Sequence, residues 1–163
     1  MDPRTFSFDG INWLAILLAV VANMVIGFVW YARWFPTGKI WMKHMNIPMD
    51  AKPNGAQMAR GLILMVIGSF LIMFVLAHDF WAYNDAYHCA NCTPAGDPTY
   101  KLSAMDGLMG GFFVWLGFFL PQNLSGVSWE NKPWSLFFVN TGYSLVTMLV
   151  AGLLLVTVGK IGP

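Results

Sequence analysis

Four apolar runs, each about twenty residues long with charge confined to its ends, limit what this chain can become more than any other feature. A helix rises 1.5 Å per residue, so a run of that length matches the roughly 30 Å of hydrocarbon in a bilayer. The first run ends in Gly27-Phe28-Val29-Trp30-Tyr31-Ala32-Arg33-Trp34-Phe35-Pro36, where apolar residues give way to an aromatic cluster, an arginine and a proline. Hydrocarbon excludes charge and amphipathic rings settle at headgroup depth, so this stretch reads as a helix leaving a membrane. Composition agrees: 57% of residues are hydrophobic and 10% charged, far from the soluble norm. A net charge of +1 gives no basis for binding nucleic acid.

The expected fold is therefore an all-α membrane protein, a four-transmembrane-helix bundle formed as a single integral membrane domain over residues 1–163. The spans fall at about 11–32, 56–82, 104–121 and 134–159. Met1-Asp2-Pro3-Arg4 lacks the basic cluster of a secretory leader, so the first run is expected to persist in the folded protein, with Asp9 as a candidate N-cap. Within it Ala15, Ala19, Asn23 and Gly27 recur every four residues, a small stripe that should face protein. Asn54-Gly55-Ala56-Gln57 and Ser103-Ala104-Met105-Asp106 read as capping boxes that open the second and third spans. Pro121 is expected to end the third span, in which Gly107 and Gly111 allow close approach of a neighbouring helix. Between spans one and two, Lys39 to Asn46 predicts a short interfacial helix. Residues 84–102 read as an extramembrane loop.

Counting Lys and Arg in the connections sets the expected orientation. Arg33, Lys39, Lys43, Lys52, Arg60 and Lys132 lie on one side, and Arg4, Lys101 and Lys160 on the other. The 33–55 loop is thus expected in the cytoplasm, with both termini and the 84–102 loop on the periplasmic or exterior side of what reads as a bacterial cytoplasmic membrane. Trp30, Tyr31, Trp34, Trp41, Trp81, Trp115 and Trp134 are the expected interface anchors. Residues 28–36 and 113–121 share Phe, Val, Trp and Pro in register, which suggests two parallel hairpin repeats; aromatic exits alike in composition would give the same echo.

Asn12, Gly27-x-x-Trp30-Tyr31, Phe35 and Trp41, the Gly-rich third span and Asn140-x-Gly142-Tyr143 together resemble the bacterial and fungal membrane family catalogued as domain of unknown function 1761. The resemblance implies a small four-helix membrane protein and carries no reaction, substrate or cofactor. Its strongest part is the Gly-x-x-Trp-Tyr exit. The Cys-bearing loop lies outside it.

Cys89 and Cys92, three apart on the expected exterior side, suit a small disulfide loop. Thr93-Pro94 after them supplies no helix N-terminus to activate a thiolate, and no His follows the second Cys as haem attachment requires. No cofactor is expected; a metal is the alternative, since His78, His88, Cys89 and Cys92 would satisfy tetrahedral zinc, although at no standard spacing. Met42, Met45 and Met49 with His44 suit either a soft metal or an interfacial apolar face. Mid-membrane positions hold amides and hydroxyls, namely Asn23, Ser69, Asn140, Thr141, Tyr143, Ser144 and Thr147, and no carboxylate or base, which argues against a proton-coupled pump. Asn23 and Asn140 are candidates to pair between helices as packing glue, beside Gly27, Gly107 and Gly111. Neither a nucleophile with its base nor a nucleotide fingerprint occurs, so the chain is not expected to be an enzyme. The expected role is a packing or accessory subunit, partnered by the lipid bilayer and by a homo-oligomer or other membrane subunits. Alternatives are a small-solute or lipid transporter or channel lined by Asn23, Asn140, Tyr143 and Ser144, and a metal-handling protein using the Cys/His loop.

Overall fold

The computed structural model describes residues 11–48, 50–51, 54–90 and 102–159, with only the backbone at 85–90. Every regular element among them is helical: α1 (Trp13–Trp30), α2 (Pro36–His44), α3 (Gly55–Ala90), α4 (Ala104–Val114), a π-helical segment (Trp115–Phe119), α5 (Leu120–Glu130) and α6 (Trp134–Thr157). Four stretches of the described chain are long and apolar enough to cross a membrane: Trp13–Trp30, Gly55–Asn84, Ala104–Glu130 and Trp134–Thr157. The all-α, four-span fold class read from the sequence is the observed one.

Local chemistry sets the helix ends. Asn12, not Asp9, caps α1: its side-chain oxygen accepts from the Leu14 and Ala15 amides, and its Nδ2 donates to the Val158 carbonyl at 3.2 Å, tying the start of α1 to the end of α6. Asp9 lies outside the described residues. Asn54 Oδ1 accepts from the amides of Ala56 and Gln57, and Ser103 with Asp106 forms the full reciprocal box that the sequence predicts. The Thr37 hydroxyl donates to the Trp30 carbonyl, and a Cβ at Gly38 would collide with the Ala32 carbonyl oxygen, so α2 folds tightly back under the end of α1. His44 then reaches Ser135 Oγ at 2.7 Å, fastening α2 to the start of α6.

Two boundaries differ from the expected ones. Pro121 does not end the third span, because α4, the π segment and α5 run on as one 27-residue helix, Ala104–Glu130. A proline removes one i→i−4 bond and crowds the carbonyl four residues back. Here the preceding turn is widened, with the Leu120 amide bonded to the Trp115 carbonyl, five residues back, and Gly117 in open space, so the ring is absorbed without a break. Asn123 Nδ2 supplies a donor to the Phe119 carbonyl at 2.8 Å. The helix ends instead at Asn131, in the left-handed conformation at φ 54°. Likewise α3 does not stop near residue 82 but continues to Ala90. Residues 81–90 contain neither Gly nor Pro, and a helix leaving lipid has no reason to unwind merely because its side chains become polar.

In the bundle α6 is central. Gly107 and Gly111 of α4 lie against it so closely that a Cβ at Gly107 would stand 2.5 Å from the Gly152 carbonyl oxygen, and one at Gly111 would strike the Met148 carbonyl. On the other flank α1 presents its small stripe, with Ala15, Ala19, Asn23 and Gly27 all buried as their four-residue spacing predicts. Farther out, α3 buries Ser69, Met73, Leu76 and Ala77, meets α1 through Ser69 and Phe74, and reaches α4 through Phe80, which lies under Gly110. Trp30 and Trp115, equivalent positions in the sequence echo, both donate to carbonyls of α6, Val139 and Thr141 respectively, at 3.0 Å.

Candidate functional site: a polar seam between α1, α3 and α6

Buried polar groups in lipid need partners inside the protein, and several of this chain's find them along one seam, while the Thr141 and Thr147 hydroxyls and the Asn84 carbonyl oxygen are buried without a hydrogen-bond partner among the described residues. Asn23 is the junction. Its Nδ2 donates to Ser69 Oγ of α3 at 2.6 Å, and its Oδ1 accepts from the Tyr143 hydroxyl of α6 at 2.6 Å, so one amide holds three helices. The place exists because Gly27, one turn further along α1, leaves room: a Cβ there would lie 3.2 Å from the Tyr143 hydroxyl and closer still to Met65.

Toward the first connection, the Tyr143 ring meets Tyr31 edge to face with centroids 5.2 Å apart, and the Tyr31 hydroxyl donates to Asn140 Oδ1 at 3.1 Å. Trp41 of α2 packs on the other side of Tyr31 at 5.4 Å. The seam therefore runs from Ser69 through Asn23, Tyr143, Tyr31 and Asn140 to the mouth of the bundle. Asn23 and Asn140 do not pair with each other; two tyrosines stand between them. Ser144 donates to the Thr141 carbonyl of its own helix at 3.0 Å and takes no part in the chain of contacts. Asn140 also borders a cavity of about 260 Å³ whose lining includes Gln122, Asn123, Glu130 and Lys132. Glu130 and Lys132 are ion-paired there at 2.6 Å across a half-exposed surface. Amides and phenols at this spacing can align a polar solute or hold helices together; none of them is an acid or base suited to proton transfer near neutral pH.

The remaining candidates fall in different places. Trp34 and Trp134 are exposed, as membrane-facing anchors would be, whereas Trp115 is 9% exposed and Trp30 half-buried, their indole N–H groups turned inward. Trp81 is half-buried on α3. Exposed Trp13, stacked on Phe74 at 6.0 Å, and Trp129 join the outward-facing set; their positions near helix ends were the available signal. His78 Nδ1 contacts the Phe74 carbonyl at 3.0 Å. His88 and Cys89 fall in the last turns of α3, but their side chains, like Cys92 and Met49, lie outside the described residues. Among the described residues no three His, Cys, Asp or Glu side chains gather closely enough to share a metal ion. Met42 is buried and Met45 exposed, so these two methionines face different surroundings.

Comparison with known proteins reaches the family and stops there. No curated protein and no solved structure matches the chain. The sequence model of the family described as "Protein of unknown function (DUF1761)" matches residues 14–156, from the first turn of α1 to the last turn of α6, and the chain belongs to that family.

Proposed function

We propose that this chain is a membrane unit without catalytic machinery of its own, acting as a packing or accessory subunit of a homo-oligomer or larger membrane complex. One observation supports that reading above the others. The glycines and amides that draw helices together are taken up within the chain, while the first half of α3 has an apolar outer face, Ile63, Leu64, Ile67 and Leu71, that is more than half exposed. Lipid tolerates added bulk on such a face, and a packed partner does not. Trp substitutions at Ile63 and Ile67 are expected to shift the assembled mass in detergent downward, with Leu17→Trp and Val21→Trp on lipid-facing α1 as controls. An assembled mass indifferent to all four would sink the proposal. In this reading the 33–55 connection is cytoplasmic, so Lys43 and the Cys89 and Cys92 pair should label from opposite faces of sealed vesicles.

A small-solute transporter or channel lined by Asn23, Asn140, Tyr143 and Ser144 is the second reading, favoured by the cavity on which Asn140 opens. Flux of a polar solute into reconstituted vesicles, cut by Asn140→Leu, would support it. A variant that transports as well as the parent chain would not.

A further inference from the structure

The cavity of about 260 Å³ between α5 and α6 is polar where the cleft between α3 and α4 is lined mostly by apolar side chains. Glu130 and Lys132 mark its outer end, and Gln122, Asn123 and Asn140 line it toward the membrane. Trp129 and Trp134 flank the outer end in sequence and are 85% and 57% exposed, so the mouth lies at the boundary between lipid and water. From Trp134 to Asn140 the helix rises roughly 9 Å, which makes the cavity a shallow well. From this arrangement we infer that the well binds one small zwitterion, an α-amino acid in chemical class. Its ammonium and carboxylate sit at Glu130 and Lys132, and its polar end meets the carboxamides of Asn140 and Asn123. The inference deepens the second reading, whose cavity it uses, by naming the ligand; binding at equilibrium needs no flux, so either can fail without the other.

Hydrogen-bonding capacity and charge each support that occupant. Asn140 Oδ1 is taken by the Tyr31 hydroxyl, which leaves its amide N–H groups for the cavity. Asn123 is engaged the other way round: its Nδ2 donates to the Phe119 carbonyl, which leaves Oδ1 as an acceptor. The well thus offers a donor and an acceptor, the complement of a carboxamide. Charge at the mouth sums to zero. Glu130 and Lys132 meet at 2.6 Å but are half-exposed, and an ion pair so open to water contributes little. A zwitterion replaces that one contact by two charge-assisted ones, whereas a solute with a single charge is left beside a like charge. The backbone holds Lys132 in place for this. Asn131, left-handed at φ 54°, turns the chain back, and the Lys132 amide donates to the Gly126 carbonyl at 3.2 Å. Because Gly126 has no side chain, the Lys132 stem lies across α5, its Cδ 3.2 Å from where a Cβ would stand.

Equilibrium dialysis of the full chain in neutral detergent against radiolabelled glutamine, a zwitterion that ends in a carboxamide, reads the site directly. One glutamine per chain is expected. Leucine, which keeps the zwitterion and lacks the carboxamide, should compete about tenfold less well, the scale of two neutral hydrogen bonds. N-acetylglutamine, which lacks the ammonium, should also compete about tenfold less well, the scale of one charge-assisted bond. Glu130→Gln and Lys132→Met should each weaken glutamine to the same degree, and both sites are open enough to water that folding is not at stake. Gly126→Leu should abolish binding by filling the well while the thermal midpoint holds, since only the flexible Lys132 stem has to move. Arg60→Gln, on α3 and outside the cavity, should change nothing. No glutamine bound at millimolar concentration, equal competition by leucine or N-acetylglutamine, or undiminished binding in either Glu130→Gln or Lys132→Met would each overturn the inference. Binding without flux into vesicles would uphold it and remove the second reading; flux of a polar solute without glutamine binding would do the reverse.

Discussion

The contact between α4 and α6 and the first half of α3 are built from similar residues and behave in opposite ways. Both are apolar and both carry glycines. Gly107, Gly111 and Gly152 bring two backbones into direct contact, whereas Gly61 and Gly68 have nothing within 4 Å. Lipid tails are as apolar as leucine, so burial by itself gives little reason for helices to associate; close van der Waals packing and hydrogen bonds decide it. A glycine is therefore a packing residue only where the opposite helix is shaped to meet it. α1, α4 and α6 therefore pack closely on one another, whereas α3 stands apart over Gly55–Leu64 and meets α1 from Met65 onward.

The largest test of that contrast is steric. Gly111→Leu should drive a side chain into the Met148 carbonyl and cost roughly 3 kcal/mol or more, the upper range for overpacking. Gly107→Leu should behave alike against Gly152. Gly68→Leu on α3 should be near neutral. Thermal unfolding in a mild detergent measures all three, and equal losses at Gly111 and Gly68 would erase the distinction between the two regions. Loss of assembly on substituting Gly107 or Gly111 would not by itself reveal a subunit interface, because these glycines are engaged within the chain.

A smaller effect is expected where the two regions meet. Asn23→Leu removes the acceptor for Tyr143 and the donor for Ser69 at once. Each interhelical bond of this kind contributes roughly 1 kcal/mol in a membrane protein, and orphaning both partners adds to the loss, so about 2 kcal/mol is expected. A double-mutant cycle with Ser69→Ala should show coupling between α1 and α3. Additive effects would mean that α3 is held by its apolar contacts alone.

Much of this arrangement was legible in the sequence, for reasons that also mark its limits. The four-residue recurrence of Ala15, Ala19, Asn23 and Gly27 named a face of α1 because helical periodicity is local geometry; Ser103 and Asp106 named a helix start for the same reason. Periodicity does not say which helix lies opposite. Asn140, the obvious mate for Asn23 by type and depth, is reached only through Tyr143 and Tyr31. Pro121 read as a terminator because the rule assumes α-helical bonding just before it, and the π turn changes that bonding. The polar stretch after Trp81 read as a loop because hydropathy reports the solvent, not the backbone.

The subtlest contrast is between tryptophans that look alike in sequence. An indole N–H at the end of a span can be satisfied by lipid headgroups or by a carbonyl of a neighbouring helix, and only the second contributes to holding the bundle together. Trp115 and Trp30 donate to α6 at 3.0 Å, while Trp34 and Trp134 are exposed. Replacing Trp115 by Phe keeps most of the apolar bulk and removes the donor, so about 1 kcal/mol of stability should be lost, with a similar or smaller loss at Trp30. Trp34→Phe and Trp134→Phe should leave the thermal midpoint unchanged. A midpoint equally lowered by all four would mean that the ring's presence at the span end, not its bond to α6, is what counts, and α6 would lose its standing as the helix on which α1 and α4 converge.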